Sequence, residues 1–173
     1  MGKIEEPNPV KLILGIIACD EEVIKKAEPL LRKLWGETDL RSPVVPFNFT
    51  NYYEEEMGGN LLRQRWSFVK LINAETLAEI KIKTNKIEKG LSADKKRKIN
   101  LDPGYIDGAK LILASTKNYS HRIYLRDGIY AEVTLIYEKG AFRPLGWTYP
   151  DYKIDTALHF FSEVRNRYLE QAK

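Results

Sequence analysis

A chain of 173 residues, 43% apolar and 30% charged, is long enough for one hydrophobic core and has neither a disordered nor a membrane-protein composition. Its longest apolar run, Leu12 to Cys19, falls far short of the ~20 residues that span a bilayer, and it follows Glu5 and Glu6 rather than a basic segment, so neither a membrane span nor a secretory leader is expected. The lone cysteine, Cys19, excludes an internal disulfide, and with only His121 and His159 beside it the usual structural zinc patterns are excluded as well; a cytoplasmic setting is expected.

Residues 1–9, with Pro7 and Pro9, read as a mobile lead-in to a single domain covering 1–173. Val10 to Ala18 is almost continuously apolar, the mark of a central strand covered on both faces. Asp20 caps a helix with an apolar stripe of Val23, Ala27, Leu30, Leu31 and Leu34; Gly36 ends it, and Pro29 is expected to kink or divide it. An extended stretch from Pro43 runs toward Tyr52-Tyr53, and after a turn at Met57-Gly58-Gly59-Asn60 a long strand, Leu61 to Ile72, pairs back on it. One face of that strand carries Leu62, Trp66 and Phe68, the other Arg63, Arg65 and Ser67. Asn73 opens a second helix with a stripe of Leu77, Ile80, Thr84, Ile87 and Leu91.

Ile99 to Leu101 reads as a short strand, and Asp102-Pro103-Gly104 suits a type II turn. Strands follow at Ala109 to Ser115, His121 to Arg126 and Ile129 to Tyr137, the last two joined at Asp127-Gly128, a strong hairpin signal. A helix from Ile154 to Tyr168 closes the chain. Strands in consecutive hairpins favour an α+β layer: a ferredoxin-like βαββαβ core with an added antiparallel β-meander and a C-terminal helix.

Groups that bind or react are concentrated between Asn100 and Tyr152. With Asp127-Gly128 as a two-residue loop, Arg126 faces Ile129, His121 faces Thr134, and Glu132 lies diagonally within reach of His121 on the same face. Arg122 then points the other way, and a slip of one residue would break the set. A carboxylate beside an imidazole fixes its tautomer and suits it to proton transfer near neutral pH, so His121 and Glu132 are the candidate catalytic pair. Lys117, Asn118 and Arg122 offer donors for an anion, Asp102 and Asp151 carboxylates for a divalent metal or a sugar hydroxyl, and Tyr105 and Trp147 aromatic faces. No P-loop, Rossmann glycine motif or nucleophile elbow occurs.

The segments Tyr52-Tyr53, Asn100-Leu101-Asp102-Pro103-Gly104-Tyr105, Leu113-Ala114-Ser115, His121-Arg122-Ile123-Tyr124-Leu125, Glu132-Val133-Thr134-Leu135 and Trp147-Thr148-Tyr149-Pro150-Asp151-Tyr152 together resemble a prokaryotic family catalogued only as a domain of unknown function. The resemblance runs over nearly the whole chain and implies a small single-domain bacterial or archaeal protein with no established activity.

Three readings of function follow. The leading one is a domain that binds a phosphorylated or otherwise anionic small molecule, with the question of whether it also acts on that molecule left open. The second is an RNA- or DNA-binding module: residues 61–126 hold 15 basic against 6 acidic residues, with lysines dense across 81–98, and Tyr119, Tyr124 or Trp66 would stack bases. The third is an interaction protein without chemistry. Oligomeric state leaves no mark in the sequence.

Overall fold

The computed structural model describes residues 2–172. Strand β1, Val10–Ala18, is buried at every position, which is why its apolar run does not alternate. It lies between β4, Leu62–Ile72, and β5, Ile99–Ile106. Beyond β4 comes β2, Thr38–Arg41. Beyond β5 come β6, Lys110–Ser115, then β8, Ile129–Glu138, then β7, Arg122–Arg126. The order β2-β4-β1-β5-β6-β8-β7 is completed by two short strands, β3 (Val45–Pro46) on β4 and β9 (Ala141–Pro144) on β8, giving one nine-stranded sheet. Every pairing is antiparallel, so the chain is a mixed α+β fold.

Helices cover both faces. Leu12, Leu14 and Ile16 of β1 pack against α1, Glu21–Trp35, and α3, Leu77–Gly90. Ile13 faces the other way, into a cluster with α4, Pro150–Lys153, and α5, Asp155–Gln171, through Tyr152, Phe160, Phe161 and Val164. A short helix α2, Glu54–Met57, lies in the excursion between β3 and β4. Among the described residues no helix is long and apolar enough to cross a membrane. Residues 2–9 are exposed and without regular structure.

Asp20 caps α1, its Oδ1 accepting the Val23 N–H at 2.8 Å. The buried stripe is Ile24, Ala27, Leu31 and Trp35, rotated from the expected one, so Leu30 and Leu34 are exposed; the helix runs unbroken through Pro29. The main partner of β4 at this edge is β2, with β3 supplying only two residues, so the expected pairing from Pro43 onward covers the minor part of it.

The expected turn at Asp102-Pro103-Gly104 is instead the middle of β5. Asp102 pairs with Gly15, Pro103 with Leu14 and Gly104 with Ile13. A proline is tolerated inside a strand where one side of the ladder is open, and β6 begins to pair with β5 only at Gly104. Gly104 is required there for space: a Cβ would collide with the Ile112 carbonyl oxygen. Sheet pairing over nearly ninety residues has overridden a strong local turn signal.

Candidate functional site

The site originates in that open ladder. β5 and β6 are paired at Gly104–Ile106 but not at 99–103, where β5 has β1 alone as a neighbour. In an antiparallel strand alternate residues direct both backbone groups to the same side. Leu101 directs its N–H and C=O away from β1, into the gap left by β6. Two side chains of α3 take the place of the missing strand: Glu88 Oε1 accepts the Leu101 N–H at 2.7 Å, and Lys81 Nζ donates to the Leu101 carbonyl at 2.8 Å. Lys81 and Glu88 are thus buried within the sheet seam. Burial pushes the Glu88 carboxyl above its usual range, opposed by the Lys81 charge and the bond from Leu101.

The parted strands open a cleft of about 730 Å³. Asn100 and Asp102 line its β5 side, Leu113, Ala114, Ser115 and Glu132 its β6–β8 side, and Lys81, Asn85 and Glu88 its α3 side. The excursion before β4 supplies an aromatic wall of Phe47, Phe49, Tyr52 and Tyr53, and the start of α4 supplies Tyr149, Asp151 and Tyr152. Arg97 buttresses the wall by bonding Glu56 (2.7 Å), Asn100 (2.8 Å) and Glu88 (3.2 Å). At the mouth Lys117 Nζ donates to the Tyr52 hydroxyl at 2.6 Å. Asn100 Nδ2 donates to Asp102 Oδ2 at 2.7 Å, while Asp102 Oδ1 is 3.4 Å from Lys81 Nζ.

The wall around Glu132 is a closed network. Arg126 pairs with Ile129 as expected, but a bulge between Tyr124 and Arg126 shifts the rest of the hairpin, so Arg122 faces Glu132. His121 Nε2 lies 3.0 Å from Glu132 Oε2, Arg122 Nε donates to the same oxygen at 2.9 Å, and Thr134 Oγ1 donates to Oε1 at 3.1 Å. Arg122, expected on the opposite face, is therefore Glu132's main partner, and its remaining donors reach Ser115, the Lys117 carbonyl and the Tyr149 hydroxyl. Four of its five N–H groups are thus committed, leaving one on Nη2. The imidazole of His121 stacks on Trp147 (4.9 Å, 11°) outside the cleft lining, and Trp147 Nε1 is held by the Val133 carbonyl.

Of the residues singled out from the sequence, Asp102, Lys117, Glu132 and Asp151 line the cleft. His121 and Thr134 reach it only through Glu132, Arg122 through Glu132, Ser115, Lys117 and Tyr149, Trp147 only through His121, and Asn118 is exposed outside it. Tyr105 pairs with Leu12 and Ile112 on the opposite face and packs toward α3, so it has no part in the site. Asp151 Oδ2 lies 2.7 Å from Arg63 Nη2 and 3.5 Å from Arg65 Nη2, its charge committed to two buried guanidinium groups. Among the described residues no group of three or more His, Cys, Asp and Glu side chains is placed to hold a metal ion.

The model of a family described as a domain of unknown function, DUF4416, matches residues 8–168. The chain belongs to that family. The DUF4416 match takes in every side of the cleft. No curated protein and no solved structure matches the chain.

Within this DUF4416 chain, the residues that sequence reasoning missed are Lys81, Asn85 and Glu88 on α3 and the Arg63–Tyr152 pair. Lys81 and Glu88 had a signal: at seven residues apart they adjoin Ile80, Thr84 and Ile87 on the buried stripe, where a charge needs a partner. Arg63 and Arg65 had one in their alternation with Trp66 and Phe68 on a strand whose two faces are both covered. Their convergence with Tyr152, which comes from the far end of the chain, had none.

Proposed function

We propose that this chain binds a phosphorylated or otherwise anionic small molecule in the cleft between the parted halves of β5 and β6. The observation that carries the reading is the cleft itself: its volume lies within the ~300–1,000 Å³ of small-molecule sites, and aromatic walls converge there on a few polar groups. Lys117 at the mouth is the cation placed to meet an incoming anion, and the Asp102 carboxylate and Asn85 amide offer partners for hydroxyl groups. Binding is better supported than proton transfer by His121 and Glu132, because Glu132 is ion-paired to Arg122 and His121 does not line the cleft.

The nucleic-acid reading draws less support. Lys81 is turned into the sheet and Arg97 is tied to Glu56 and Glu88, which removes two cations from the 81–98 stretch. The antiparallel order β2-β4-β1-β5, with α1 and α3 on one face, supports a ferredoxin-like core extended by a meander. One continuous sheet supports a single domain, and the lone cysteine fits a cytoplasmic setting.

The test is a thermal-shift screen of phosphorylated sugars and short organic acids, repeated on Thr116→Trp. Thr116 lines the mouth and is exposed, so the indole blocks entry without disturbing the core. A binder raises the melting temperature of the native chain by mass action, and the rise is lost in Thr116→Trp. A hit that stabilises both chains equally would contradict the proposal.

A further inference from the structure

The end of the cleft formed by Asp151 and Tyr152, its inner end, adjoins a second group of cationic side chains. Arg63 and Arg65 of β4 point to the same face as Gly15 of β1, and both are almost fully buried. They share a single carboxylate: Asp151 Oδ2 lies 2.7 Å from Arg63 Nη2 and 3.5 Å from Arg65 Nη2, while Arg65 also donates to the Asp151 carbonyl at 2.6 Å. Arg63 Nε and Nη1, Arg65 Nε and the Tyr152 hydroxyl are buried with no hydrogen-bond partner among the described residues. Burial and the neighbouring Arg63 charge push Arg65 down to about 10, as expected where two guanidinium groups compete for one acid.

These unpaired groups converge. A Cβ on Gly15 would lie 2.6 Å from the Tyr152 hydroxyl and 3.1 Å from both terminal nitrogens of Arg63, so glycine leaves the space in which they meet. The Tyr152 ring is stacked on Phe161 at 5.4 Å and lies 5.1 Å from the Arg63 guanidinium carbon, which fixes its direction. Tyr152 and Asp151 line the cleft while Gly15, Arg63 and Arg65 do not, so the cluster adjoins the cleft through these two residues. Guanidinium groups can only donate. A buried donor without an acceptor is costly, more so if charged, and this cluster holds more donors than acceptors. Asp102 flanks it on the β5 side, but its two oxygens already face Asn100 and Lys81.

We propose that the inner end of the cleft is an oxyanion seat: a phosphate or carboxylate oxygen of the bound molecule accepts from the Tyr152 hydroxyl, with Arg63 behind it supplying the charge. The proposal rests on the cleft being a ligand site and specifies which end of it takes the anionic group. Lys117 then attracts the ligand at the mouth without being its final partner.

The experiment is an amide chemical-shift titration of the full chain with inorganic phosphate and, separately, acetate, on the native chain and on Tyr152→Phe and Lys117→Ala. Tyr152→Phe keeps the ring on Phe161, and its melting temperature, measured beside the native chain, checks that the fold is intact. Shifts are expected at Gly15, Asp151 and residue 152. Affinity falls about tenfold or more in Tyr152→Phe, as for the loss of a hydrogen bond to a charged group, and only slightly in Lys117→Ala. The tighter of the two anions assigns the headgroup as phosphate or carboxylate. Shifts confined to Thr116 and Lys117, with Tyr152→Phe binding as the native chain does, would overturn the oxyanion seat and leave the cleft proposal standing. No shift at any cleft residue with either anion would overturn both.

Discussion

Asp39 on β2 holds the ammonium of Lys11, which is fully buried on β1 and also donates to Gln171 Oε1 at 2.6 Å. Burial alone would push the Asp39 carboxyl up. The hydrogen bonds from Lys11 and from Ser67 (2.6 Å), with the Lys11 charge, outweigh it and hold the group below its ordinary range. A carboxylate depressed in the folded state stabilises the fold above its unfolded value near ~4, and that stability is lost as the pH falls through the lower folded value. In Asp39→Asn the lysine stays buried without its counter-charge. Melting temperatures followed from pH 7 to pH 2 are expected to start lower in this variant and to decline less below about 4; curves parallel to the native one would contradict the assignment. Single residues also limit what a sequence reveals. Asp127-Gly128 marked its hairpin, and both residues have the positive φ such a turn needs. Nothing in Tyr124-Leu125-Arg126 marked the bulge that moves Arg122 onto Glu132, because a bulge follows from what the strand must meet across the sheet.

Among the elements, α3 does more than cover the sheet, since its Lys81 and Glu88 complete the backbone bonding of β5 where β6 departs. Glu88→Ala would leave the Leu101 N–H buried and unpaired and Lys81 short of a counter-charge. The expected cost is about 1–3 kcal/mol in urea unfolding, together with faster hydrogen exchange at Leu101. An unchanged exchange rate at Leu101 would show that the seam is held by other contacts. Elements with a continuous apolar run or a full helical stripe were legible: β1 has its expected ends, and Leu77, Ile80, Thr84 and Ile87 of α3 are buried as their spacing requires. β2 and β9, four residues each, carry too little pattern to stand out, and β5 was cut short by a turn signal that the pairing of β1 and β6 overrules.

At the scale of the molecule, the cleft exists because the sheet parts. β1 and β5 remain together along eight residues, β6 and β8 along six, and between them β5 and β6 hold only at one end. Aromatic rings from the excursion before β4 and from the start of α4 close the sides, so residues from more than half the length of the chain surround one space. No local motif can announce such a site; only the clustering of reactive residues from Asn100 to Tyr152 pointed to its neighbourhood. The most direct test of this account is a crystal structure of the chain with the strongest stabiliser from the screen. The account predicts that molecule between Asp102 and Glu132, its anionic group directed inward toward Tyr152. The same molecule seated on the exposed lysines of residues 86–98, with the cleft empty, would contradict it.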